Sequence, residues 1–263
     1  MDLGLRGKVA LVAAASKGLG RAVAHELAAE GASVAICSRD AAAIAAAGCD
    51  IAAATGAEVL AMAADVADPS AIGTFVDAAL ARFGRIDILL TNSGGPPPGR
   101  FDTLDMAAWQ KATELTLFAL VEFARLVLPG MKARRWGRIL NVTSIAVKQP
   151  IDNLMLSNSL RAAVTGWART LANEVAAHGI TVNNLMPGYT RTERVDELAG
   201  VIAKRDDITP EQAVARWERE IPAGRLGEPR EFAALAAFLA SERASYITGT
   251  SIPVDGGWIK ALL

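Results

Sequence analysis

The chain has 263 residues, 52% of them hydrophobic, and balances 27 Lys and Arg against 28 Asp and Glu for a formal net charge of −1. Such a composition is globular, gives no electrostatic case for nucleic acid or an anionic membrane, and holds no apolar run of the roughly 18 residues that a membrane span needs. Two cysteines (Cys37, Cys49) and two histidines (His25, His178) exclude a disulfide framework and predict no zinc site, so a reducing cytoplasm is the expected compartment.

The first apolar run, residues 8–14 (KVALVAA), reads as a buried strand. It enters the turn Ala15-Ser16-Lys17-Gly18-Leu19-Gly20, and a helix is predicted from Arg21. Glycines in such a turn let the backbone approach a pyrophosphate, and the free N–H groups of the helix start carry partial positive charge. A second strand follows at residues 33–38 (SVAICS), which completes the strand–turn–helix–strand context of a dinucleotide site. A carboxylate at the end of that strand would bond the 2′-hydroxyl of an NAD ribose. Ser38 and Arg39 stand there instead, with Lys17 in the glycine turn. Two cations favour a 2′-phosphate and hence NADP(H), while Asp40 beside them keeps NAD(H) open.

The alanine tract 41–54 predicts a helix of small side chains packed closely on a sheet. Strands are predicted at 58–64 (EVLAMAA) and 86–92 (IDILLTN), followed by a stiff loop, GGPPPG, at 94–99. A long helix over 105–132, a strand at 137–144 (GRILNVTS) and a second long helix over 154–178 come next. A strand at 180–187 (ITVNNLMP) ends the apolar beat, and the polar segment 192–225 reads as a helical flap over the strand ends, where open α/β sheets bind their ligands. A helix at 231–240 and a strand at 250–255 (TSIPVD) close the chain. Strands alternating with helices predict an α/β fold, a doubly wound parallel sheet of about seven strands with helices on both faces.

Residues 13–20, Ala13-Ala14-Ala15-Ser16-Lys17-Gly18-Leu19-Gly20, resemble the TGxxxGxG motif of the short-chain dehydrogenase/reductase family, with Ala14 in place of the first glycine. Asp65-Val66 resembles the family's adenine-contacting pair, Asn92-Ser93-Gly94 its NNAG segment, and Pro187-Gly188 its PG turn, which leads into Thr190 and Thr192. Residues 221–257 are similar to the C-terminal signature of its 3-oxoacyl-carrier-protein reductases. The resemblance spans nearly the whole chain. It implies a single Rossmann-type domain over 1–263 that binds NAD(P) through these residues. It also implies a homotetramer or homodimer built on the two long helices and the last strand, with Leu117, Leu120 and Phe123 expected on outer helix faces.

The family's catalytic Ser falls on Ser144, its Tyr on Ser157, its Lys on Arg161 and its helix Asn on Thr116. One identity of four survives. Arg161 keeps a cation and a fork of donors for ribose hydroxyls, but relays no proton; Ser157 is too weak an acid and too short to replace a tyrosine. Tyr189, Lys148 and Asp152 are nearby candidates whose plain readings are a packed aromatic and two solvated charges. The leading expectation is an NADP(H)-dependent oxidoreductase acting on a carbonyl or alcohol without a metal, using Ser144 with water or a substitute acid. The alternatives are a lyase or hydratase reusing the pocket, and a dinucleotide-binding protein without turnover.

Overall fold

The computed structural model describes residues 2–262. The seven expected strands form, as β1 (Val9–Val12), β2 (Ser33–Ser38), β3 (Val59–Ala63), β4 (Ile88–Thr91), β5 (Gly137–Val142), β6 (Ile180–Pro187) and β7 (Ser251–Val254). They make one parallel sheet in the order β3-β2-β1-β4-β5-β6-β7. The helices are α1 (Gly18–Ala29), α2 (Ala41–Thr55), α3 (Pro69–Phe83), α4 (Met106–Thr113), α5 (Ala119–Arg134), α6 (Met155–Val175), α7 (Glu193–Asp206), α8 (Pro210–Glu220) and α9 (Pro229–Ala240). The order in which the chain adds strands reverses between β1 and β4, so the ends of these two parallel strands flank the crevice of a doubly wound sheet.

Both faces are covered, which is why the strands read as unbroken apolar runs. Alternate residues go to opposite sides. Ala10, Val12, Val34 and Ile36 meet α1, α2 and α9, whereas Leu11, Ala13, Ala35 and Cys37 meet the layer of α3, α5 and α6. The alanine helix α2 lies close on the sheet as expected. A Cβ added to its Gly48 would stand 2.7 Å from the Ala61 Cβ of β3, so a larger side chain would push the helix off.

The helix expected over 105–132 is interrupted. Residues Glu114–Phe118 form a π-turn between α4 and α5, in which the Ala119 N–H donates to the Glu114 carbonyl. The extra residue in that turn shifts the following helix face. Leu120 and Phe123, which follow it, point into the molecule at 5% and 1% exposure, and not outward as the assembly implied by the resemblance led one to expect. Phe123 packs edge-on against Phe75, and Leu117 is half-buried. The apolar side chains left outside are Met106 and Phe118.

The polar segment after β6 is helical. Thr209 caps α8, accepting from the Gln212 N–H while the Gln212 side chain accepts from the Thr209 N–H, and Pro210 starts the helix. Val195 and Ala199 of α7 and Ala213 and Trp217 of α8 form a cluster with Ile145, Met186 and Trp258. This cluster fixes the flap over the ends of β5 and β6.

Candidate active site

The glycine turn is strapped to both neighbouring strands. The Ala13 N–H donates to the Leu90 carbonyl (3.1 Å) and the Ala15 N–H to the Cys37 carbonyl (2.9 Å). Between them Ala14 has φ 50°, a left-handed backbone that a side chain resists and glycine adopts freely. The Asn92 amide, at the end of β4, donates to the Ala14 carbonyl at 3.2 Å. A Cβ on Gly20 would strike that same carbonyl and lie 3.0 Å from the Asn92 amide nitrogen. Gly20 is thus required for the close fit of α1 against the turn. Gly18 has φ 58° and begins α1 three residues before the predicted start.

Lys17 occupies the N-cap of α1 without a side-chain capping bond and is exposed, as Arg21 is. The first N–H groups of α1 are therefore not claimed by a capping side chain, which is the donor set a pyrophosphate takes. Half-buried Ser16 and Leu19 complete the turn. Thr192 comes down from the flap: its methyl would be 3.5 Å from a Cβ on Gly18. Its hydroxyl donates to the Thr190 carbonyl and that of Thr190 to the Gly188 carbonyl. Gly188 follows Pro187 where a Cβ would meet the Asp255 backbone at 2.7 Å, so this turn too depends on close approach.

At the end of β2 the charges sort themselves. The Asp40 carboxylate accepts from the Ala43 N–H (3.0 Å) as the N-cap of α2, and the Ser38 hydroxyl donates to the Asp40 carbonyl oxygen. Arg39 is left exposed at the rim. After β3, the Asp65 carboxylate accepts from the Ala67 N–H and Val66 is buried beside the crevice. Ser93 and Gly94 continue from Asn92 into the proline loop.

The structure draws Thr116, Arg161, Asn92 and Ser93 together around one small cavity of about 20 Å³, walled by Leu115, Leu120, Phe123 and Val164. Thr116 arrives there from the π-turn, 5% exposed, and among the described residues its hydroxyl has no hydrogen-bond partner. Arg161 is 8% exposed and donates from Nη1 to the Val142 carbonyl at 2.7 Å. Burial first, and the positive Arg194 second, push its pKa down to about 10, so it remains a cation near neutrality. Ser144 sits past the end of β5 and Ser157 in the first turns of α6; both are half-buried and neither lines this cavity. The Ser144 oxygen accepts from the Ala146 N–H at 3.1 Å, which leaves its hydroxyl hydrogen free to donate.

Tyr189 is packed. It stacks on Trp217 (ring centroids 4.7 Å) and meets Trp258 edge-on, and burial pushes its hydroxyl up to about 12. That environment suits a wall and not an acid. Lys148 and Asp152 are exposed. The sequence reading missed Arg194, whose Nη2 reaches the Pro96 carbonyl (3.5 Å) and lies against Gly95 of the proline loop. Its one signal was its place two residues beyond Thr192.

A family profile described as "Enoyl-(Acyl carrier protein) reductase" matches residues 13–259. The chain is 36% identical to a 3-oxoacyl-(acyl-carrier-protein) reductase of Vibrio cholerae, covering 97% of this chain and 98% of that one. It is 33% identical to the NADPH-dependent reductase BacG of Bacillus subtilis, with 97% and 99% covered. Among solved structures, L-sorbose reductase from Gluconobacter frateurii in complex with NADPH and L-sorbose superposes with a TM-score of 0.95 at 34% identity, all of both chains being covered. Among the described residues, no helix is long and apolar enough to cross a membrane.

Proposed function

The chain belongs to the short-chain dehydrogenase/reductase family, and we propose that it is an NADP(H)-dependent oxidoreductase that interconverts a small carbonyl compound and its alcohol. The observation that carries the cofactor choice is at the end of β2. Asp40 is committed to capping α2, so Arg39, with Lys17 across the turn, is the charge offered to a ribose 2′ substituent. The NADPH named for the Bacillus and Gluconobacter proteins agrees. Ser16 to Gly20, Asp65, Val66, the 92–94 segment and the 187–192 turn would hold the dinucleotide, whose nicotinamide supplies or accepts the hydride.

The chain's own residues then have three tasks. The Ser144 hydroxyl, with its hydrogen free, donates to the substrate oxygen and orients the carbonyl. Arg161, buried and charged, offsets the negative charge that grows on that oxygen, where few protein dipoles and little water dilute it. Ser157 cannot act as a strong acid, so it holds a water that delivers the proton from solvent. Loss of a positioned general acid costs about 10²–10⁴ in rate. The wild-type enzyme is therefore slow on simple ketones but not inert.

The test restores the missing pair. Ser157→Tyr with Arg161→Lys should raise NADPH oxidation by activated ketones within that range of about 10²–10⁴. Ser144→Ala should lower the wild-type rate. Tight NADPH binding with no turnover in either protein, across a broad carbonyl panel, would refute the oxidoreductase reading in favour of a dinucleotide-binding protein. Failure of both dinucleotides to bind would favour a lyase or hydratase.

A further inference from the structure

Ser144 and Ser157 come from different elements, Ser144 past the end of β5 and Ser157 in the first turn of α6. Residues 145–154 join them: a short 3-10 turn, Ile145–Val147, packed against α6, then an open loop with Lys148 and Asp152 in solvent. Surface loops of this kind are mobile unless they are tied. One tie is Gly99 of the proline loop, whose N–H donates to the Asn153 carbonyl (2.8 Å) and whose carbonyl accepts from the Met155 N–H (3.3 Å). The other is Asn158, next to Ser157. Its amide nitrogen donates to the Ile151 carbonyl at 2.9 Å, and its amide oxygen accepts from the Ile151 N–H at a longer 3.5 Å. Asparagine carries a donor and an acceptor on one planar group, so a single side chain answers both backbone groups of one residue. Between the two ties Asn153 is held at φ 62°, a left-handed step that persists where the surroundings fix it. Ile151 in turn packs, half-buried, on the cluster of Ile145, Met186, Trp217 and Trp258 that seats the flap.

We propose that Asn158 is a positioning residue for carbonyl reduction: by clamping Ile151 it holds the 145–154 loop, and Ser144 at its root, where the Ser144 hydroxyl meets the substrate oxygen. The inference rests on the oxidoreductase reading and adds to it the part that aims the serine. Asn158 acts through Ser144, whose oxygen is itself set by the Ala146 N–H of the same loop. Its amide does not serve as a helix cap, since α6 begins without a side-chain cap and both bonds of Asn158 go to a residue ahead of the helix. Reaction rates are steep in the placement of the groups around the reacting atoms, and a shift of about 1 Å caused from outside the chemistry can cost on the order of 10².

The test is a double-mutant cycle between positions 158 and 144, read as NADPH oxidation by an activated ketone. Asn158→Ala removes both bonds, and Asn158→Asp keeps the size but turns the donor into an acceptor facing the Ile151 carbonyl. Each should lower kcat/KM by roughly 10- to 100-fold with NADPH affinity unchanged. In a Ser144→Ala background the same substitutions should cost little, because the group they aim is gone. An equal loss in both backgrounds, a parallel fall in NADPH affinity, or no loss at all would overturn the proposal. Hydrogen exchange of the parent protein tests the clamp without a variant: the Ile151 amide should be protected relative to that of Asp152, and equal exchange of the two would overturn the proposal as well. No turnover in the parent protein would take down the oxidoreductase reading and with it the role of Asn158, whereas turnover that neither substitution changes takes down the proposal alone.

Discussion

Ala14→Gly isolates what the altered glycine turn costs. Ala14 holds φ 50° because the straps at Ala13 and Ala15 and the Asn92 amide on its carbonyl leave the turn no other course. An L-residue in the left-handed region is disfavoured by roughly 1–2 kcal/mol. Glycine removes that strain but loses about 0.5–1 kcal/mol more backbone entropy on folding. The net expectation is a stabilisation of about 0.5–1 kcal/mol. For a chain of this size, 1 kcal/mol moves Tm by roughly 2–4 °C, so the variant should melt about 1–4 °C higher. Thermal unfolding of the ligand-free protein, at matched concentration because assembly shifts Tm, reads the effect directly. Ala14→Val is the control: a β-branched residue at positive φ should destabilise by more than the glycine gains. An Ala14→Gly protein that melts at or below the parent temperature would show that the turn is not strained, and the reasoning would fail.

Three further outcomes follow from the same geometry. Arg39→Asp should narrow or invert a preference for NADPH over NADH, measured by titration; equal affinities in the unmodified protein would remove the basis of the cofactor choice. Cys37 is buried and its thiol is pushed up to about 12, whereas Cys49 is exposed, so a thiol reagent at pH 8 should label one cysteine in the folded protein and two in denaturant. Light scattering should find a dimer or tetramer at micromolar concentration, and Phe118→Arg, at an exposed apolar side chain of the π-turn, should shift it toward monomer; an unchanged size distribution would place the interface elsewhere.

The strands were legible because burial on both faces writes them as short apolar runs, and the order of turns between them follows from the handedness of crossovers. The glycine turn was legible for a different reason. Its constraints are local, and Gly18 and Gly20 mark a positive φ and a close approach that composition alone betrays. The orientation of the long helix was not. The oligomer implied by the resemblance put Leu120 and Phe123 on an outer face, whereas both are buried just after a π-turn, and nothing in ELTLF announces its extra residue. Arg194 was missed because its partner, the Pro96 carbonyl, is 98 residues away in sequence and meets it only when the flap folds over the strand ends.

The mechanism proposed above separates two tasks that a tyrosine–lysine pair combines, the supply of charge and the supply of a proton. A tyrosine next to a lysine does both, because the cation lowers the phenol's pKa and the phenol then gives the proton. Here the charge is kept and deepened. Arg161 is 8% exposed and keeps its charge beside the small cavity that Thr116 and Asn92 also line. In the proposed mechanism the proton comes from a water held at Ser157. Such a division favours substrates whose transition state needs neutralising more than it needs protonating. A simple ketone needs the proton as much as the charge, and it is on simple ketones that restoring tyrosine and lysine should show the largest gain.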